Sequence, residues 1–291
     1  MGTTSNVRRR LLAGTELAER ELSLAGNGTI VLEAGDGPPM VLLHGPGEFA
    51  GTWLPVLRDL QRTHRVIVPD LPGHGTSDLP NAPLTVEVVL QWLEELIDQT
   101  CGSPPVLVGR VLGGAIAARF AASRPERLGV LVLVDTLGLS PFGPAPRFAL
   151  AMHRFLAEPN TDTYRRFMDF CAFDLDRASA GLGERWSAYA EYAVELARRP
   201  GAHESMGELI DIFGATEIPA DVLARIGVPT TLIWGREDLA TPLKIAESAS
   251  IRFGWPLRVI DDAGDDPGLD RPAEFVRVVQ EAVRLSARVA S

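Results

Sequence analysis

Lysine is almost absent from this 291-residue chain: Lys244 is the only one, beside 28 basic residues in all. Schiff-base or lysine-base chemistry would rest on that residue alone. It sits in Thr241-Pro242-Leu243-Lys244, which reads as the first turn of a surface helix. Cysteine is as sparse, with Cys101 and Cys171 in unrelated segments. Two isolated thiols make neither a disulfide framework nor a Cys/His zinc set, so no metal or other cofactor is expected. Positive charge is short too, since 38 acidic residues leave a net charge of −10. That balance excludes a phosphate backbone as a natural partner, and no nucleic-acid binding is expected. Long apolar runs are missing: Val130–Val134 is far below spanning length, so no membrane partner is expected. Arg8-Arg9-Arg10 is followed only by Leu-Leu-Ala-Gly-Thr before charge resumes at Glu16, too little for a signal-peptide core. Met1-Gly2-Thr3-Thr4-Ser5-Asn6 has Asn6 where a myristoylation signal wants Ser or Thr. A cytoplasmic protein is expected.

Hydrophobic residues make up 46%, enough for one sizeable core with or without an appended smaller domain. Short β-branched runs alternate with longer amphipathic segments, which predicts an α/β fold with a mainly parallel eight-stranded sheet flanked by helices. The strands are predicted at Glu21–Leu24, Thr29–Glu33, Met40–Leu43, Val66–Pro69, Val106–Gly109, Val130–Val134, Thr230–Trp234 and Leu257–Ile260. Helices are predicted at Trp53–Gln61, Val86–Gln99, Gly113–Ser123, Pro242–Arg252 and Ala273–Ala287. Gly-Asp-Gly-Pro-Pro at 35–39 predicts a turn between early strands and an antiparallel entry to the sheet. From 137 to 226 strand signals vanish and aromatic-rich helices follow, holding all three tyrosines. The expected organisation is a core of 1–136 and 227–291 with a helical cap of 137–226 over the strand ends, where ligands bind in such sheets.

Five landmarks carry chemical meaning by their order. They are His44-Gly45-Pro46-Gly47 after an apolar run, Asp70-Leu71-Pro72-Gly73-His74-Gly75-Thr76-Ser77, Gly109-Arg110-Val111-Leu112-Gly113, Trp234-Gly235-Arg236-Glu237-Asp238, and Ala263-Gly264-Asp265-Asp266-Pro267. In this order they resemble the α/β-hydrolase superfamily over nearly the whole chain. The resemblance implies an oxyanion turn at His44-Gly45, a nucleophile elbow at 109–113, the triad acid at Asp238 and the histidine position at 265. The elbow's reactive position holds Val111, and an isopropyl group cannot attack a carbonyl. Position 265 holds Asp265, whose ordinary pKa near 4 cannot replace an imidazole. Pro46 lacks the N–H that the residue after His-Gly would lend to an oxyanion, which leaves the amide of Leu112. A serine hydrolase is thereby excluded.

Asp238 and Asp265 are the candidate catalytic residues, and if they approach each other one should hold a proton. A one-residue shift would bring in Asp266 instead. Substrate contacts are expected from Pro46, Gly47, Glu48, Phe49, Arg110, Val111, Leu112, His153 and Trp186. Arg110 reads either as a carboxylate binder or as a salt bridge behind the elbow. His44, His64 and His74 read as structural and His203 as solvated.

Three functions remain open. The first is a non-hydrolytic enzyme performing epimerisation, isomerisation or cyclisation on a bulky, largely apolar metabolite or modified peptide. Superfamily members without a triad, such as the peptide epimerase of bottromycin biosynthesis, are similar in kind. The second is a hydrolase with a rearranged Asp-based site, and the third a ligand- or partner-binding pseudoenzyme. Oligomeric state is left open, a homodimer included.

Overall fold

The structure, a computed structural model, describes residues 6–289, with side chains to 286. The myristoylation reading falls outside them except for Asn6. Among the described residues eight strands form one sheet in the order β1-β2-β4-β3-β5-β6-β7-β8. They are β1 (Ala18–Leu24), β2 (Asn27–Ala34), β3 (Pro39–Leu43), β4 (Arg65–Pro69), β5 (Val106–Arg110), β6 (Val130–Val134), β7 (Thr230–Gly235) and β8 (Leu257–Ile260). All eight predicted strands are present. The β1/β2 and β2/β4 pairings are antiparallel and the rest parallel. The antiparallel entry is a hairpin turning at Ala25-Gly26. The 35–39 turn instead links β2 to β3, which β4 separates, because β2 pairs along β4 through Val31–Pro69.

The central strands are covered on both faces, so they read as continuous apolar runs. Val41, Leu43, Leu107, Leu131 and Leu133 point to a layer made by α3 (Val86–Thr100) and α4 (Leu112–Ser123). Leu42, Val108, Val132 and Val134 point to the opposite layer of α2 (Leu54–Leu60) and the long helix at Pro272–Val289. Each fully buried Leu or Val contributes about 1.5–3 kcal/mol. Helix α3 illustrates the local logic. Val89, Trp92, Leu93, Leu96 and Ile97 recur on one face, and Thr85 caps the start by accepting from Val88 N at 3.2 Å.

The N-terminal helix had no sequence prediction. Asn6–Leu12 forms α1, and its Arg8 is buried, bonding Asp70 at 3.4 Å, the Tyr192 hydroxyl at 3.1 Å and Glu19 at 2.8–2.9 Å. One residue of the triple-arginine run thus supplies a buried tie.

Between β6 and β7 lie α5 (Pro146–Ala157), α6 (Thr161–Cys171), α7 (Leu175–Leu182), α8 (Arg185–Ala197), α9 (Ala202–Leu209), a single wide turn at Ile210–Gly214 and α10 (Ala220–Leu223). Their aromatics form a third core that also takes in Leu11, Phe49 and Leu269. After β7 come α11 (Lys244–Phe253), α12 (Pro267–Asp270) and α13 (Pro272–Val289). Lys244 is exposed at the start of α11, as expected. No helix among the described residues is long and apolar enough to cross a membrane.

Candidate active site

The turn between β5 and α4 is strained and carries Val111 at its apex. Val111, between β5 and α4, has φ 49° and ψ −107°. A β-branched residue there is a genuine outlier, costing about 1–2 kcal/mol, and persists because its surroundings over-determine it. Val111 N donates to Val134 O at 2.9 Å, and Val111 O accepts from Leu137 N at 3.1 Å. The following turn packs so tightly that a Cβ on Gly113 would collide with the Leu43 carbonyl, and one on Gly114 with the Thr136 hydroxyl.

Facing the elbow, the His44-Gly45-Pro46-Gly47 turn is occupied by the chain's own carboxylate. Gly45 N donates to Glu48 Oε2 at 2.8 Å. His44 is fully buried, its Nδ1 on Gly45 O at 2.8 Å and its Nε2 accepting from Leu71 N at 3.0 Å. Burial lowers its pKa to about 4, so it is a neutral structural histidine. Asp70 anchors the next loop by accepting from Ala50 N at 2.6 Å and Thr76 N at 2.9 Å. No acceptor among the described residues takes the Leu112 N–H.

Arg110 is the buried cation of the site. Its guanidinium pairs with Glu48, reaches Asp266 Oδ2 at 3.2 Å and the Asp265 carbonyl at 3.4 Å, and lies 5.9 Å from the Trp53 ring centre. Of the two sequence readings, the geometry matches the salt bridge. Asp266 is held twice, because Oδ1 also caps α12 by accepting from Leu269 N at 3.1 Å. Burial nonetheless raises its pKa to about 6, against the pull of Arg110.

Asp265 is different. Its N–H donates to Cys171 O at 3.0 Å, and Asp270 pins the same loop by accepting from Gly264 N at 2.8 Å and Phe173 N at 2.9 Å. Its carboxyl has no hydrogen-bond partner among the described residues, is 8% exposed, and lines the cavity described below. Burial, then the nearby Asp238, pushes its pKa well above its ordinary value, which favours the protonated carboxyl.

Asp238 itself stands back from the cavity. Its Oδ1 accepts from Ala240 N at 2.7 Å and Thr241 N at 2.8 Å, and its Oδ2 from the Thr241 hydroxyl. Its pKa is raised to about 6, chiefly by burial. Asp135, at the end of β6, faces it and is raised well above its usual range by burial and by Asp238. Asp135 Oδ1 accepts from Gly235 N at 2.9 Å, while Oδ2 is buried without a donor, which suits a retained proton.

A cavity of about 140 Å³ lies between the strand ends and the inserted helices. Pro46, Gly47, Glu48, Phe49, Arg110, Val111 and Asp265 line it, as the sequence reading expected. Three expected contacts do not. Leu112 is buried in the core under α4, His153 is on the exposed side of α5, and Trp186 stacks behind Tyr189 at 5.7 Å. The α5 periodicity turns Phe148, Met152 and Phe155 inward instead. Lining residues not expected include Tyr164, Tyr189 and His74, with exposed His203 at the rim, and Asp266, the alternative to Asp265, lines the cavity beside it. His74 Nδ1 bonds Pro72 O at 3.0 Å, its Nε2 is buried without a partner, and burial lowers its pKa to about 4. Asp135 was also unforeseen, although a carboxylate at the C-terminal end of a strand is a signal. Among the described residues no group of three His, Cys, Asp or Glu could hold a metal ion.

Comparison with known proteins agrees with this architecture. The model of the alpha/beta hydrolase family matches residues 40–278, and the chain belongs to that family. It is 31% identical to 2-hydroxy-6-oxo-6-phenylhexa-2,4-dienoate hydrolase of Comamonas testosteroni, over 87% of this chain and 90% of that one. It is 28% identical to pimeloyl-[acyl-carrier protein] methyl ester esterase of Aeromonas hydrophila, over 86% and 96%. Among solved structures, the dienoate hydrolase of Rhodococcus sp. strain RHA1 superposes with a TM-score of 0.80 at 24% identity, covering 92% of this chain and 99% of that one. These relatives are hydrolases, and none of them supports the epimerase or isomerase reading.

Proposed function

We propose that this chain is a hydrolase that works through Asp265 as general acid and base, with no enzyme nucleophile. The observation that carries the reading is the Asp265 carboxyl, unpartnered among the described residues and raised in pKa by burial, in the wall of a largely apolar cavity and at the position where the family has its histidine. The hydrolase character of the relatives favours water as the second reactant. An ester is a poor fit. Its tetrahedral intermediate is an oxyanion, and here the turn has Pro46 and the Glu48 carboxylate where donors are needed. A substrate whose carbon–oxygen bond breaks toward positive charge, such as an epoxide or acetal, suits the site better. Asp265 gives its proton to the departing oxygen as that bond breaks. Water adds to the carbon and returns a proton to the Asp265 carboxylate, so the net change is addition of one water.

A second reading keeps the same groups but excludes water: proton transfer giving isomerisation, cyclisation or epimerisation. The largely apolar lining of the cavity favours it.

Styrene oxide in H2 18O separates the two. Hydrolysis gives the phenyl diol carrying one 18O, whereas proton-driven rearrangement gives phenylacetaldehyde, an isomer of the epoxide with no water added. Asp265→Asn should abolish either product. Turnover at an unchanged rate in Asp265→Asn would sink the assignment. Binding without turnover of epoxides, acetals or acidic C–H compounds would favour a ligand-binding protein.

A further inference from the structure

The balance of charge in the cavity narrows the ligand class, given the reading that this cavity is the active site. Glu48, Asp265 and Asp266 all line it. The guanidinium among them, Arg110, already spans Glu48 and Asp266. The other lining arginine, Arg199, is spent on the Gly75 and Ser77 carbonyls at 2.8 and 2.9 Å. Even with Asp265 protonated, the two carboxylates Glu48 and Asp266 face a single guanidinium at this end. A second observation points to the same ligand. Asp265 is more than nine-tenths buried, and its carboxyl meets the cavity with no protein partner among the described residues.

The aromatic wall supplies the third. Tyr189 and Tyr164 line the cavity close enough to Glu48 for its charge to disfavour their ionisation, and Phe49 packs 5.5 Å from Tyr189. Neutral aromatic faces beside carboxylates attract cations through the ring quadrupole, by about 0.5–2 kcal/mol per contact. An anion would meet the reverse. The dienoate in the name of the Comamonas relative is such an anion. It would face carboxyls here, with no unengaged guanidinium to receive it.

We propose that the cavity takes an apolar amine in its ammonium form, the cationic nitrogen seated between the Glu48 carboxylate and the Tyr189 face, with the carbonyl oxygen of the protonated Asp265 carboxyl as a further acceptor. Its apolar body lies against Phe148, Phe155 and Phe167. A cavity of about 140 Å³ is close to one that accepts a benzene-sized guest, so the body is of single-ring size. This is smaller than the bulky metabolite expected from the sequence.

Three probes with one body and different heads test the assignment: 3-phenylpropylamine, 3-phenylpropan-1-ol and 3-phenylpropionate. They are titrated calorimetrically into the full chain at pH 7. The amine should bind at least about tenfold tighter than the alcohol, a difference of about 1.4 kcal/mol, and the carboxylate should bind weakest. Glu48→Gln should bring the amine within about threefold of the alcohol while leaving the alcohol unchanged. Because Glu48 also holds Gly45 and Arg110, Asp265→Asn is run beside it, since its carboxyl supports no protein hydrogen bond. Equal binding of alcohol and amine, or tightest binding of the carboxylate, would overturn the charge assignment and leave the cavity reading intact. An amine preference that survives both variants would overturn the placement. If none of the three binds at millimolar concentration, both readings fail.

Discussion

Replacing Asp265 by Asn removes one titrating proton at almost constant volume, and the consequence appears in stability against pH. In the folded chain burial and Asp238 raise the Asp265 pKa well above its usual range, whereas in the unfolded chain it is near 4. Between those values the folded state binds a proton that the unfolded state has released. Stability therefore falls as pH rises, by about 1.4 kcal/mol per unit for one group. The useful window is pH 6.5 to 8. Below it, His44 and His74, both lowered to about 4, contribute the opposite slope, because there the unfolded state binds their protons. Asp238 and Asp266, at about 6, complete most of their change below pH 7. Asp135 is raised as well, chiefly by burial and by Asp238, which both proteins keep, so most of its contribution is common to the two. From pH 6.5 to 8 the parent should therefore lose more stability than Asp265→Asn, by no more than about 2 kcal/mol, the full one-proton slope over that window. Urea unfolding of both proteins at pH 6.5, 7.25 and 8 measures this. Parallel stability lines would refute the reasoning, since Asp265 would then be ionised in the folded protein and unavailable as an acid.

Three further outcomes are expected. Arg110→Met should cost about 3–5 kcal/mol at pH 8 in chemical denaturation, because Glu48 and the buried Asp266 lose their counter-charge. The loss should shrink at pH 5, where Asp266, raised to about 6 even beside Arg110, is protonated. Val111→Ser should neither hydrolyse p-nitrophenyl butyrate above background nor react with fluorophosphonates, since Pro46 withholds an oxyanion donor worth about a hundredfold in rate and position 265 lacks an imidazole; labelling of the introduced serine would show that another base serves the elbow. Asn160→Ala should lower stability by about 1 kcal/mol in a thermal melt, as Asn160 closes a capping box with Thr163 at the start of α6. An unchanged midpoint would show that α6 is held by packing alone.

The sequence alone was enough to establish the sheet, its helical layers and the valine between the glycines of the β5–α4 turn. Strands buried on both faces must be apolar throughout, so Val106–Arg110 and Val130–Val134 announce themselves without neighbours. The elbow is a local turn framed by glycines, and the residue between them is read directly as Val111. Tertiary structure decided the rest, because burial and electrostatic environment belong to no single segment. Arg8 sits in a charged run and is buried only because Asp70, Glu19 and Tyr192 converge on it. Asp238 and Asp265 look equivalent as carboxylates. The loop after β7 spends Asp238 on backbone amides, while the contact of Asp265 N with Cys171 O leaves its side chain free in the cavity. His74 and the Asp135–Asp238 pair lie in separate segments that only the fold brings to the strand ends. There, removal from water moves their pKa values, and no local pattern of residues encodes that removal.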